Sequence, residues 1–536
     1  MGTSVLHIKT EVECRVYLFN EEKGIAKPGT YFNLEVRKGE QDLLFVSTED
    51  DAVICFKSYI VENGDFDYRM TLEQSQFINI NAQVSEEEMS IGVGDAFGVL
   101  YSRDGLQLLD CQNKNIKEYN IQDGCKVIRE EAFYWCKNLT TITLPDSLTH
   151  IGNRAFSSCN LTTITLPASL TYVGDCAFSG TGIRNVVSLS PNFTFRDGCL
   201  IDQINHRLLA YLSDKDKVSL PVGLTHIGNE VFYGCDYLIA ITLPNGLTHI
   251  GKSAFSRCSN LTTVSLPNSM THIGGSAFWK CQNLTAITLP AGLVHIGDRA
   301  FEGCEKLTAI TLPDGLTHIG NRTFMWCNNL TTITLPNSLT HIGDSAFSLC
   351  ENLDSITLPD GLTHIGDNAF WECGNLTTIT LPDGLTHIGD GAFCGCRNLT
   401  TIILPDGLAH IGDGAFLRTG IRNVTSHSPY FMFSDGCLID KRNHKLVAFL
   451  SDQEQVVLPD GLICIGDRAL DRCGSLTAIT LPDGLIQIGN CALDRCGKLT
   501  AITLPDGSTH NGDWAFDGCR KLTAITPPDD LEELPY

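Results

Sequence analysis

The residues with chemical potential in this chain stand in rows. Thirteen of its 23 cysteines share one position of a recurring segment: Cys136, Cys159, Cys235, Cys258 and onward to Cys519. Thiols at fixed spacing suggest a metal site, but no C-x-x-C pair has a partner pair, and Cys394/Cys396 is a lone C-x-C. A shared position in A-F-x-x-C instead predicts small, buried, reduced thiols packing as hydrophobes, which suits a reducing compartment. Histidine recurs nine times: His226, His249, His272, His295, His318, His341, His364, His387 and His410. Flanking Leu and Ile point inward, so the imidazoles should face water, one above another at roughly 5 Å. Protonation would make them repel, and neighbours could chelate a divalent metal adventitiously. A surface residue copied with its repeat is the plainer reading. Ser345, His341 and Asp344 are triad residue types, yet Asn368 and Gly391 replace the serine in other copies. There is no G-x-S-x-G, H-E-x-x-H or P-loop, so neither catalytic residues, a cofactor nor a metal site is expected.

The rows are placed by a repeat. Aligned on A-F-x-x-C, Phe133, Phe156, Phe255, Phe278, Phe301, Phe324, Phe347, Phe370 and Phe393 fall together, mostly 23 residues apart. Phe178, Phe232, Phe416 and Phe516 join them, and Leu470 and Leu493 substitute. In 376–398, Ile379 and Leu381 alternate with Thr378 and Thr380, a short strand ended by Pro382. Asp383-Gly384 is a turn, and Leu385 and Ile388 turn inward in a second, shorter strand closed by Gly389. Asp390 is expected to cap a single helical turn with Ala392, Phe393 and Cys396 on its inward face. Asn398 lies at the next corner. The outward Thr pairs resemble those of ice-binding β-solenoids, but Ala286, Ala309, Ala478 and Ala501 break the column, and strand preference explains the threonines. One unit buries too few side chains to fold alone, so stacking is required.

The run L-x-x-I-x-L-P, then L-x-x-I-G-x-x-A-F-x-x-C, many times in register, closely resembles the BspA-type leucine-rich repeat family. The resemblance covers roughly 97–526. It implies a curved, right-handed leucine-rich-repeat solenoid with a parallel β-sheet, short second strands and single-turn helices, and a protein-binding role. Many relatives are bacterial surface adhesins.

Two longer steps carry homologous inserts, 183–217 and 421–455, and 97–122 looks like a partial third copy; each is expected as a β-hairpin projecting from the stack. Residues 1–95 differ in kind. Alternation in Cys14-Val16-Leu18 and Phe32-Leu34-Val36, with turns at Lys27-Pro28-Gly29 and Asn63-Gly64, predicts a small antiparallel β-sandwich that covers the open edge of the solenoid 96–526. Pro527-Pro528 and an acidic tail, 527–536, close the chain.

Lys+Arg number 38 against Asp+Glu 62, a formal charge of −24, which speaks against nucleic acid or an anionic membrane as partner. No apolar run is long enough to cross a bilayer, and no secretory signal stands at the start, so a cytoplasmic location is expected, with a surface or secreted adhesin as the alternative. The monotonous Thr/Ala face carries few binding anchors, so the departures from consensus are the expected contacts for a protein partner. These are Arg207, Tyr211, Tyr430, Phe431 and Phe449 in the inserts, and Trp279, Trp326 and Trp371 in the turns. The inserts are expected to be dispensable for the stack.

Overall fold

Three-residue strands are too short to be stable singly, and in this chain each is held by the coil before and after it. The computed structural model describes residues 4–18, 21–36, 39–61, 67–72, 77–505 and 510–526. The Asn63-Gly64 turn and the 527–536 tail lie outside the described residues. The repeats form a parallel-strand β-solenoid of about 17 turns. Strand Thr378–Thr380 lies parallel to Ser355–Thr357, with Ile379 buried and both threonines exposed. His387–Ile388 lies parallel to His364–Ile365 in the second row. Leu376, Ile379, Leu381, Leu385, Ile388, Ala392, Phe393 and Cys396 are all buried, as the alternation requires. The phenyl rings from Phe232 to Phe416 stack 4.9 to 5.9 Å apart along the core.

The third side corrects the expectation of single-turn helices. Gly391, Phe393 and Gly395 donate their N–H groups to Asp413, Ala415 and Leu417 of the next coil, at 2.8 to 3.0 Å. Between these, Ala392, Cys394 and Cys396 close tight turns onto carbonyls three residues back. Hydrogen bonds therefore run between coils rather than up a helix, and this zigzag puts two residues per coil at positive φ, such as Ser345 and Leu349 (54° and 62°). Asp390 does not cap its own turn. Its Oδ1 accepts the N–H of Asp413, while its own N–H goes to Asp367 Oδ1, both at 2.8 Å. The Asp367 carboxylate explains the glycine before Asp390, because a Cβ on Gly389 would run into Asp367 Oδ1.

The inserts are strands of the solenoid's own second row. Phe431–Ser434, Cys437–Asp440 and Lys445–Phe449 form an antiparallel meander whose last strand pairs in parallel with Cys464–Ile465. In the partial copy, Gln107–Cys111 pairs antiparallel with Val99–Tyr101 and parallel with Val127–Ile128. Phe193–Arg196, Cys199–Asp202 and Arg207–Tyr211 repeat the meander. Leu208 to Leu212 are buried without interruption, because both faces of that strand are covered.

The N-terminal residues form two sheets around Leu6, Ile8, Val16, Leu34, Phe45 and Leu72. Ser4–Thr10 is antiparallel to Tyr31–Val36 but parallel to Asp67–Leu72, so the region is not purely antiparallel. It packs against the side of the first coils. Leu44, Val46, Ala52, Ile54 and Ile80 share a core with Val127, and Glu130 N–H donates to Ile80 O at 3.0 Å. The edge of the second row is taken by Val99–Tyr101 and Val93–Gly94 instead. The chain divides into two compact units, 1–213 with 227–231, and 214–226 with 232–536.

Candidate functional site

In the second unit the histidines form the row their spacing predicts. His226, His249 and His272 stack at 4.4 Å between centroids, and His318, His341, His364 and His387 at 4.5 to 4.6 Å, all within 15° of parallel. The second strand fixes each ring's place, and the preceding threonine fixes its turn: Thr248, Thr340, Thr363 and Thr386 set Oγ1 at 2.8 Å from the following Nδ1. Burial and the adjacent imidazole hold His249, His341 and His387 below the usual histidine range. The serine triad is not assembled. His341 Nδ1 is engaged by Thr340, and Asp344 Oδ1 accepts the Asp367 N–H.

Binding chemistry is concentrated on the turn side. Trp279 donates Nε1–H to Glu302 at 3.0 Å, and its ring meets Lys280 Nζ at 4.6 Å and the Arg257 guanidinium at 5.1 Å. Arg257 also reaches Tyr233 at 5.9 Å, and Tyr233 is exposed. Trp326 is 39% exposed, at a positive-φ position. Trp371 is half-buried beside a cavity of about 230 Å³ lined by Arg418, Arg468, Asp471 and Arg472. There, burial and the nearby Asp494 raise Asp471 to about 6.

The inserts divide. Tyr430 is exposed, with Arg442 over its ring at 4.6 Å. Tyr211, Phe431 and Phe449 are buried, which removes them from an accessible surface, and Arg207 is ion-paired with Asp175. Their aromatic rings suit a contact, but the same rings on strands covered twice are core. Tyr233, Arg257 and Lys280 escaped the reading along the sequence. The signal is visible only down a turn column, where residues 23 apart become neighbours.

The cysteine column lies inside. Each Sγ–H from Cys281 to Cys396 donates to the carbonyl of the phenylalanine 26 residues earlier, at 3.0 to 3.3 Å. Burial raises these thiols, Cys373 to about 12. No group of three or more ligating side chains that could hold a metal occurs among the described residues, and no helix there is long and apolar enough to cross a membrane.

The family profile described as BspA type leucine rich repeat region (6 copies) matches residues 110–205, 202–331, 317–444 and 448–536. Among solved structures, the chain is similar to a leucine-rich cell surface protein of Faecalibacterium prausnitzii A2-165, at 24% identity over 63% of this chain and 95% of that one, with a TM-score of 0.46. A leucine-rich repeat protein of Bacteroides ovatus ATCC 8483 is 25% identical over 64% and 99%, with a TM-score of 0.42. The pneumococcal vaccine antigen PcpA is 23% identical over 47% and 62%, at 0.37. No curated protein matches the sequence.

Proposed function

We propose that this chain, which belongs to the BspA-type leucine-rich repeat family, is a non-enzymatic scaffold that binds a protein partner through the turn side of its coils. The observation that carries the reading is the cluster Tyr233, Arg257, Trp279 and Lys280, in which accessible aromatic rings and cations are pre-set on a rigid ladder. Such residues supply most binding energy at protein interfaces, and a ladder that is already ordered loses little entropy on docking. Tyr430 with Arg442, Trp326 and Trp371 extend the candidate contacts. Arg207, Tyr211, Phe431 and Phe449 act by holding the inserts in the second row.

The test compares captures from native lysate by the full chain, by Arg257→Ala/Trp279→Ala and by Tyr430→Ala. The double variant is expected to lose the captured partner while it stays folded, its midpoint lowered somewhat because the buried Glu302 forfeits its Trp279 bond; full retention would refute the turn-side assignment. Deleting 421–455 is a poor substitute, because Lys445–Phe449 pairs with the next coil and its loss opens the core. So many cysteines packed singly at one inward position fit a reducing, intracellular setting. Fractionation of the native protein reads this directly, and recovery in an envelope or extracellular fraction would favour the adhesin reading.

A further inference from the structure

The histidine row has a property that its spacing alone does not give. Thr248 Oγ1 donates to Thr225 O at 3.0 Å, Thr271 to Thr248 O at 3.1 Å, Thr340 to Thr317 O at 3.0 Å, Thr363 to Thr340 O at 3.1 Å and Thr386 to Thr363 O at 3.0 Å. A hydroxyl has one proton, so towards the imidazole each of these oxygens accepts. Nδ1 of His249, His272, His341, His364 and His387 therefore carries the hydrogen, and Nε2 carries the lone pair. The chain contains its own control. Val294 and Ala409 precede His295 and His410, no hydroxyl is available, and these two rings tilt 37° from their neighbours at 5.7 and 5.6 Å.

A ring donating Nδ1–H to a fixed acceptor while offering Nε2 is the arrangement metal-ligating histidines adopt, with the acceptor setting tautomer and orientation. We propose that adjacent imidazoles of this row, His249 with His272 and His364 with either neighbour in the run His341–His364–His387, bind divalent first-row transition ions such as Ni²⁺ or Zn²⁺, one ion to two rings and no ring shared between ions. The rings lie 4.4 to 4.5 Å apart. A tetrahedral ion such as Zn²⁺ with nitrogens about 2.0–2.1 Å away wants them about 3.4 Å apart and Ni²⁺, with ligands at right angles, about 3 Å, so each ring tip swings roughly 0.5–0.7 Å towards its neighbour. Water completes the coordination, since each site has two protein ligands.

The test separates adjacency from histidine content. In the full chain carrying His249→Gln/His295→Gln, which leaves no neighbours in the first run, two further variants each remove two histidines. His341→Gln/His387→Gln leaves His318, His364 and His410 isolated; His318→Gln/His341→Gln leaves His364, His387 and His410 contiguous. Calorimetric titration with NiCl₂ at pH 7.5 should show the contiguous variant binding at least about tenfold more tightly than the alternating one. Equal affinities, or a wild-type chain that binds no more tightly than the alternating variant, would overturn the proposal. In the His249→Gln/His295→Gln background with the second run intact, Thr340→Val/Thr363→Val should weaken binding by about tenfold and Thr340→Ser/Thr363→Ser should restore it. Unchanged affinity in the valine variant would refute the orienting role of the hydroxyls.

Discussion

His150 is a histidine of the second-strand column sealed from water, between Val127 and Tyr172 where the N-terminal sheets pack on the coils, and acid should find it. It is 1% exposed, its Nδ1 lies 2.8 Å from Thr149 Oγ1, and its ring stacks on Tyr172 at 5.8 Å. Burial lowers it from the ordinary 6.5 to about 3. The folded chain thus keeps this ring neutral where the unfolded chain would protonate it. Between those two values the unfolded state holds more protons, so stability is intact above about pH 6.5 and falls as pH drops towards 3. At 1.36 kcal/mol per pH unit, the loss is about 2 kcal/mol at pH 5 and about 4 kcal/mol near pH 3. Because a solenoid does not unfold in one step, the assay must be local. Hydrogen exchange of 127–173, corrected for intrinsic rates, should give an opening free energy about 2 kcal/mol lower at pH 5 than at pH 7.5. His150→Gln should flatten this difference, and since each variant is its own reference, the packing cost of the substitution cancels. A wild-type segment indifferent to pH, or a Gln variant with the same dependence, would refute the argument.

Other perturbations bear on the rest of the architecture. Thiol labelling of the native protein should reach the half-buried Cys464, Cys473, Cys491 and Cys519 first, with Cys281 to Cys373 modified only as coils open; rapid uniform labelling would contradict the inward column. Phe324→Ala removes a ring stacked at 5.6 and 5.5 Å on either side and should cost about 3–5 kcal/mol in denaturant melts of the surrounding coils, whereas Phe324→Leu should cost far less. Gly389→Ala should destabilise by about 1–3 kcal/mol, and adding Asp367→Ala should not restore it, because the Asp367 backbone nitrogen also lies 2.6 Å from the new Cβ. Ser345→Gly should raise the thermal midpoint slightly, relieving up to about 1 kcal/mol of left-handed strain at a position where Gly391 and Gly414 stand in other coils.

The two strand rows were legible because alternation and register are local: Thr378-Ile379-Thr380 can bury only Ile379, and the other described copies follow it, with Val424 half-buried. The third side was not. Ala392, Phe393 and Cys396 face inward from a helical turn and equally from the zigzag between coils, so periodicity cannot separate the two. What decides is where Gly391 and Gly395 send their N–H groups, and that depends on a coil 22 residues away. The inserts misled for a related reason. Leu-Leu-Ala-Tyr-Leu at 208–212 has no polar face to betray that both sides are covered, and its aromatic ring passed for a contact. The turn-side cluster at Tyr233, Arg257 and Trp279 was hidden by distance along the chain, although each residue is a plain departure from its column.

The direction of the coil-to-coil hydrogen bonds has a mechanical consequence. Within the second unit they lie along the stacking direction, while the polypeptide winds across it. Tension applied through the chain therefore loads the outermost winding alone, and its few bonds part before those of the next are disturbed. Each regular winding released would pay out 23 residues, roughly 80 Å of extended chain, and the force would fall and recover at even intervals broken by one longer step at the 421–455 insert. Such a molecule yields as an unspooling reel does, a little at a time, and lengthens greatly before it fails.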